Sequence, residues 1–325
     1  MANVPLLELE VRALYEAGIR EVAIVSGAVL GAAAVALARE AALDVRVVHI
    51  PEPPGSGLAR RLLAAEAFVG GRPFVVELAG TLTSHDLVRS VERLERKRLD
   101  VMVVLDGRRA RHSIPLPHTG PEMGTEGVDF GGEMLAGANA FVFGSEIFDA
   151  ARSAIELHGN DPVDLADTVM ALADSRGRVE AVLATGWSER VEEASSLLEV
   201  NRLVLEGLQD REPPDAVSGS RIIGPVAIDE GATVESSVLH GPLAIAAGAC
   251  ITDSYVGPYT SIGAETRVDG AEIERSVVLR AASIRNVGVR IEGSVIGASA
   301  CVTRELAPPR ALQLWVGEDA RVSLA

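Results

Sequence analysis

Apolar and polar positions along this chain follow two rhythms, and the change comes at about Ser220. In the first stretch, short apolar runs are separated by segments with helical spacing. Pro5 suits the first turn of a helix running to about Ala17, and Gly18 suits its end. Glu21–Ser26 is a short apolar strand, Ala28–Ala41 an alanine-rich helix and Val45–Ile50 the next strand. Leu58–Phe68 then reads as a helix and Phe74–Leu78 as a strand. Ser84 can cap a helix to about Arg98, and strand Val101–Leu105 follows. Apolar strands separated by helices predict a doubly wound α/β domain, its parallel sheet covered on both faces.

Residues 106–133 break the pattern. His112, Pro115, Pro117, His118, Pro121 and Gly124 cluster there, which reads as a long loop or irregular insert. Regular structure resumes at Ala140–Phe143. Helices are expected at Ser145–His158 and Val163–Ser175, then a strand at Val179–Ala184 and a helix at Val191–Leu208. Arg211–Asp215 reads as a linker, so the expected domains are 1–212 and 213–325.

After that linker, small aliphatic residues recur at six-residue intervals: Ile222, Ile228, Val234; Ile245, Ile251; Val256, Ile262, Val268; Ile296, Val302. Glycines and alanines sit between them, as in Asp229–Ala232 and Ala246–Ala249. A hexapeptide period of this kind predicts a left-handed parallel β-helix. Each hexad forms one side of a triangular coil, and its aliphatic points inward. Two short breaks in phase look like corners with a residue missing.

Composition narrows the function. With 48% hydrophobic residues in 325, the chain is not disordered. Its net charge of −16 argues against nucleic acid or an anionic membrane as partner. No apolar run reaches the roughly 18 residues of a membrane span, and no secretion signal is legible, so a cytoplasmic location is expected. Cys250 and Cys301 have no metal-ligand spacing and are expected to be buried free thiols. Lys97 is the only lysine, in the charged run Glu92–Arg98 that reads as a solvated helix end. Any mechanism that sets a lysine on a phosphate must use it or fail.

Several stretches resemble long-form glucose-1-phosphate thymidylyltransferases. They are the opening Met1–Leu7 with Glu21–Val25, the run Leu198–Leu205, and Ser254–Ile262 and Glu274–Arg280 in the repeat region. The resemblance implies a nucleotidyltransferase-like α/β sheet followed by the β-helix. It also implies that the first strand and the phosphate-cradling glycine-rich loop, which stand upstream of this point in the family, are missing.

That family joins a nucleoside triphosphate to a sugar 1-phosphate and releases pyrophosphate. Such chemistry needs groups that hold phosphates and a metal that neutralises charge. The resemblance places the family's metal-binding aspartates at Gly80 and Arg190, in Phe74–Thr81 and Gly186–Arg190, and its lysine before the N-terminal proline at Val4. A Glu-Lys-Pro sugar-phosphate motif has no counterpart near 106–135. Neither metal nor cofactor is therefore expected.

Parts of the pocket keep their outline. Glu52 stands where the family reads the base edge, Gly55 and Gly57 match the turn beside the base, and Asp164 matches a sugar-contacting Glu. Asn139 replaces a glycine on the pocket floor, and Trp187 and Arg190 complete the set. Asp164 reads equally well as a helix cap. His85, beside the strand end at Gly80, joins Glu52 and Asp164 as a catalytic candidate. His112 and His118 lie in the insert, and His240 is a lone histidine in the β-helix.

The first reading is a degenerate relative that has lost nucleotidylyl transfer and serves ligand binding or partner assembly. The alternative is a different, metal-independent enzyme on the same fold, in a sugar or natural-product pathway. A third is an active glucose-1-phosphate thymidylyltransferase. Expected partners are a small-molecule or nucleotide-sugar ligand, and either copies of the same chain, a trimer for preference, or another protein.

Overall fold

The computed structural model describes residues 2–40, 44–55, 57–83, 86–105, 138–159, 161–175, 177–184, 187–209, 217–304 and 322. The chain divides into two compact units: Leu6–Arg190, and Val191–Ala325 with Met1–Pro5.

The first unit runs α1 (Leu6–Glu16), β1 (Glu21–Ser26), α2 (Ala28–Glu40), β2 (Arg46–Pro51), α3 (Leu58–Ala64), α4 (Glu66–Val69), β3 (Phe74–Glu77), β4 (Thr81–Thr83), α5 (Leu87–Lys97) and β5 (Val101–Leu105). It continues with β6 (Ala138–Phe143), α6 (Ile147–His158), α7 (Leu165–Asp174), β7 (Val179–Leu183) and β8 (Ser188–Arg190). The insert beyond Leu105 lies outside the described residues, with His112 and His118 in it.

The α/β class holds, and the sheet is mixed. Its central order is β3–β6–β5–β7. β5 and β7 run parallel, whereas β6 enters antiparallel to both β3 and β5. An apolar run carries no sign of direction, so alternation of helix and strand could not reveal this reversal. β1 and β2 form a separate parallel pair. Its start is tied to the start of β3 by Glu21, which takes Arg46 at 3.1 Å and Arg72 at 2.9 Å.

One face of the central sheet packs Phe74, Val103, Phe141 and Phe143 against α3, α6 and α7. The other sets Val75, Val104 and Ala140 against Leu14 of α1, Ile19 after it and Leu87 of α5. α5 is capped by Asp86, whose side chain accepts the Arg89 amide at 3.0 Å, rather than by the expected Ser84. Arg93 and Lys97 of α5 converge on Glu180 of β7, which is buried. Lys97 is thus one of two cations on Glu180 and not a freely solvated end.

The second unit holds α8 (Ala194–Glu206) and the short strands β9 to β24, from Val217 to Thr303. The strands stack in three parallel sheets, two of five strands and one of six. Three aliphatic ladders fill the interior. Ile222, Leu239, Val256, Ile273 and Ile291 form one; Ile228, Ile245, Ile262, Val278 and Ile296 the next. Val217, Val234, Ile251, Val268, Ile284 and Val302 form the third. All the expected inward positions lie on these ladders; the breaks after Val234 and Ile251 are corners shortened by one residue, and the corner between Ile284 and Ile291 is longer by one. The solenoid is the β-helix the repeat predicted.

Its corners are chemically regular. Gly219, Ser236, Asp253, Gly270, Arg275 and Gly293 take left-handed φ values. A serine follows each except Gly270, and the hydroxyls of Ser220, Ser237, Ser254 and Ser276 bind to the adjoining coil. Ser220 Oγ accepts the Ser237 amide at 3.0 Å, Ser237 Oγ the Ser254 amide at 3.1 Å, and Ser254 Oγ the Ala271 amide at 3.2 Å. The hydroxyl bonds offset the steric cost of a left-handed non-glycine residue, about 1–2 kcal/mol each.

The cysteines depart from expectation. Cys301 is exposed and Cys250 half-buried. They share an outward row with Arg267 and Ser283, flanking the inward aliphatics. Alternation in a short strand puts the neighbour of a core residue outside. Among the described residues, no helix is long and apolar enough to cross a membrane.

Candidate functional site

The expected residues gather in two groups within the first unit. The first surrounds the ends of β2 and the start of α3. Glu52 follows β2 and holds Arg61 of α3, whose Nε lies 2.7 Å from Oε1. Gly57, at φ 107°, starts α3 against Val163: a Cβ there would stand 2.4 Å from the Val163 carbonyl oxygen. The Ala59 amide donates to that same oxygen at 3.0 Å. The glycine turn therefore abuts the segment carrying Asp164. Asp164 caps α7, its Oδ1 accepting the amides of Ala166 at 2.8 Å and Asp167 at 3.1 Å, and Asp167 completes a capping box. Both carboxylates thus have structural partners.

The second group lies at the far end of β3. The chain leaves β3, turns through Gly80 at φ 88° and enters β4. β4 pairs antiparallel with β8, and this register sets Thr81 opposite Arg190. Residues separated by more than a hundred positions, singled out because their acids are absent, therefore meet. Arg190 is half-buried, and its Nη2 donates to the Ala138 carbonyl at 3.0 Å. Trp187 is half-buried just before β8. Asn139 belongs to β6 by its backbone; its side chain, like His85, lies outside the described residues.

Two residues join this group that sequence reasoning passed over. Glu77 ends β3 on the Val75 face, towards α1, and its backbone pairs with Ala140. Its Oε1 is buried without a hydrogen-bond partner. Glu10 projects from α1, and its Oε1 accepts the Gly80 amide at 2.7 Å. Burial pushes Glu77 up to about 8, with the Glu10 charge adding to the rise. Burial pushes Glu10 up to about 7, against the lowering effect of the Gly80 bond. Thr81, 1% exposed, also leaves Oγ1 without a partner. A signal existed in the sequence: a glutamate ends the apolar run Phe74–Val76, and another sits between Leu7 and Leu14 on a helix stripe.

The arrangement fits a divalent cation poorly. Gly80 offers no side chain, Arg190 sets a cation opposite, and the two nearby carboxyls are driven towards their neutral forms. Among the described residues, no group of three or more His, Cys, Asp and Glu could hold a metal ion. His240 is exposed on the β-helix, opposite Ile223. His49 instead holds the Ser26 carbonyl through Nε2 at 2.9 Å and packs on Gly31.

No family model matches the chain. It is 30% identical over 339 residues to a glucose-1-phosphate thymidylyltransferase of Streptomyces antibioticus, covering 100% of this chain and 92% of that protein. It is 31% identical over 333 residues to a glucose-1-phosphate thymidylyltransferase of Streptomyces griseus, with the same coverage. Among solved structures, a UDP-glucose pyrophosphorylase complexed with UDP-glucose is similar with a TM-score of 0.48 and 17% identity, over 63% of this chain and 88% of that one.

Proposed function

Since the chain belongs to the glucose-1-phosphate thymidylyltransferase family, we propose that it is a member that has lost nucleotidylyl transfer and keeps the fold to bind a nucleotide sugar or to assemble with protein partners. The observation that carries this reading is the β4–β8 register, which brings Gly80–Thr81 and Arg190 together. The family resemblance puts the metal-binding acids at those two positions. Here one has no side chain and the other is a cation. Each lost ligand removes transition-state charge stabilisation of several kcal/mol, and two such losses amount to many powers of ten in rate. Gly80 also sits at a left-handed φ of 88°, which glycine adopts without strain.

What survives supports binding. The Gly55–Gly57 turn still abuts Val163–Asp164, and Glu52 is held by Arg61 at the end of β2. Strand ends of open α/β sheets are the usual ligand position. The β-helix, with its polar outer rows, serves assembly in this reading, and a trimer is the expected state.

The test is calorimetry of the purified protein against dTTP and UTP with magnesium, then against dTDP-glucose and glucose 1-phosphate, with a parallel assay for pyrophosphate release. The expected result is no magnesium-dependent triphosphate binding and no pyrophosphate. Turnover would restore the transferase reading. Light scattering at several concentrations reads the assembly state, and a monomer throughout would remove self-assembly from the proposal.

A further inference from the structure

The sheets of the first unit stop at two inner edges. β1 has β2 on one side, β3 has β6 on one side, and β1 and β3 do not pair with each other. Their starts are nonetheless joined. Glu21, at the head of β1, binds Arg46 of β2 at 3.1 Å and Arg72, just before β3, at 2.9 Å. The Glu21 and Arg72 side chains, end to end, can reach across about 10 Å, which is about two strand spacings. Ile19, which leads into β1, belongs to the same apolar cluster as Val75 of β3.

Backbone alternation fixes which groups line these edges. The amides of Arg46 and Glu52 bond to the carbonyls of Arg20 and Ser26, so Val22, Ile24 and Ser26 turn towards β2. Glu21, Ala23 and Val25 therefore turn amide and carbonyl away from β2. In the larger sheet the Gly144 amide bonds to the Asp100 carbonyl, so Val142 and Ala140 turn towards β5, and Phe141 and Phe143 towards β3. Phe74 stands opposite Phe143 and Val76 opposite Phe141, which leaves Val75 and Glu77 with their backbone groups turned away from β6. Among the described residues, no strand pairs with either edge. Burial agrees: Glu21–Val25 and all of β3 are half-buried, whereas β5 is buried along its whole length. The outer edges are guarded, β2 by exposed Arg46 and Pro51, and β7 by Glu180 with its two cations. The inner edges carry neither charge nor proline along Val22–Val25 and Phe74–Val76. Unguarded edges of this kind accept strands.

We propose that the interval between β1 and β3 is a receptor for an added strand, supplied by a different polypeptide. Main-chain groups on both sides fix the chemistry of the occupant: an extended segment of about four to six residues, without proline, bonded left and right like a central strand. Helices cover both faces of the neighbouring sheet, so the segment is a continuous apolar run and not an alternating one. A second copy of this chain has no such segment to lend among the described residues. Every described strand is already paired within its own sheets, and those of the solenoid are only two or three residues long. The receptor reads main chain, so it tolerates many apolar sequences. It does not rest on the loss of nucleotidylyl transfer.

The test is amide exchange on the full chain, read at single-residue resolution by mass spectrometry, alone and with the synthetic peptide Lys-Lys-Val-Ile-Val-Ile-Val-Lys-Lys. Alone, the amides of Ala23, Val25 and Val75 should exchange at least about tenfold faster than those of Val22, Ile24 and Val76. At a peptide concentration about ten times the Kd read from the titration, they should slow about tenfold, because only the free fraction exchanges, while β5 stays unchanged. A control peptide of equal charge, with proline as its middle valine, should protect none of them. The variant Ala23→Pro keeps the bonds to β2, removes one outward donor and should weaken the apolar peptide at least about tenfold. No protection by the apolar peptide, equal protection by the proline control, or an unchanged Kd in the variant overturns the proposal. Protection of these amides in the chain alone also overturns it: at every concentration it shows the interval already closed, and rising with concentration it assigns the interval to a second copy.

Discussion

Replacing Asn201 by aspartate exchanges one NH2 for an oxygen and leaves shape almost untouched, which makes it a clean probe of the second unit. Asn201 lies on α8, 0% exposed, within the Leu198–Leu205 run. Its Nδ2 donates to the Tyr259 carbonyl at 2.9 Å, and its Oδ1 accepts from Ser261 Oγ at 2.6 Å and the Ala2 amide at 3.0 Å. Asn201→Ala leaves the Tyr259 carbonyl and the buried Ser261 hydroxyl without partners. At about 1–3 kcal/mol for each such group, the cost is about 2–6 kcal/mol. For a chain of this size that lowers the unfolding midpoint of the unit by roughly 10 °C. Asn201→Asp keeps the Oδ1 contacts but turns an acceptor on the Tyr259 carbonyl, so its cost at neutral pH should match or exceed the alanine value. The two variants part as pH falls. A buried carboxyl has its folded pKa raised above the unfolded value, so the aspartate variant gains stability as pH drops from the folded pKa towards about 4, where a protonated oxygen can donate to Tyr259. The alanine variant has nothing to titrate. Thermal or urea unfolding at several pH values, each variant scored against the native protein at the same pH, reads this directly. Two results refute the reasoning: a cost below about 0.5 kcal/mol for both variants, or an aspartate deficit that stays constant with pH.

Native stability of the first unit should fall as pH rises from 4.5 to about 8, since Glu77 binds a proton when folded that it has lost when unfolded. Glu77→Gln should flatten that slope and stabilise the protein at pH 8 by at most about 5 kcal/mol, the full shift converted at 1.4 kcal/mol per unit; urea midpoints across pH decide it. Glu180→Ala should cost at most about 3–5 kcal/mol by leaving the partly buried Arg93 without its partner, whereas Lys97→Ala, at a half-exposed partner, should cost under about 1 kcal/mol in the same melts. Gly57→Ala should cost about 3 kcal/mol or more, because its φ of 107° is strained for alanine and its Cβ would meet the Val163 oxygen at 2.4 Å. Calorimetric melting of that variant within about 1 kcal/mol of native would show that the turn can move away from Val163.

The β-helix was legible because its repeat is a chemical periodicity: every aliphatic of the hexads became a rung of an inner ladder. The helices of the first unit were legible to within a few residues, except that the long helix at Leu58–Phe68 breaks at Ala65. The cap of α5 shifted from Ser84 to Asp86 because both are good acceptors and only geometry chooses between them. β4 and β8, three residues each, are too short for alternation to register, yet they bring Gly80 and Arg190 into one place. The resemblance supplied both positions but not their juxtaposition. Glu10 and Glu77 escaped because they are partly buried acids on a helix and a strand end whose nearness depends on how α1 packs, which periodicity does not give. Glu52 and Asp164, chosen for chemistry, turned out to have local partners that account for them structurally.

The serine corners of the solenoid limit how this domain can change length. Ser220, Ser237 and Ser254 stand 17 residues apart, and each hydroxyl reaches the amide one coil on. A residue gained or lost inside a strand would turn the later aliphatics of that strand outward, whereas the corners take up such a change: Ile262 and Val278, and Ile273 and Ile291, stay on their ladders across coils one residue shorter and one residue longer. A whole coil gained or lost would leave each rung and each corner bond facing an equivalent partner. Change of length in this domain is therefore confined to whole coils and to corners, and the three-residue strands between them stay fixed.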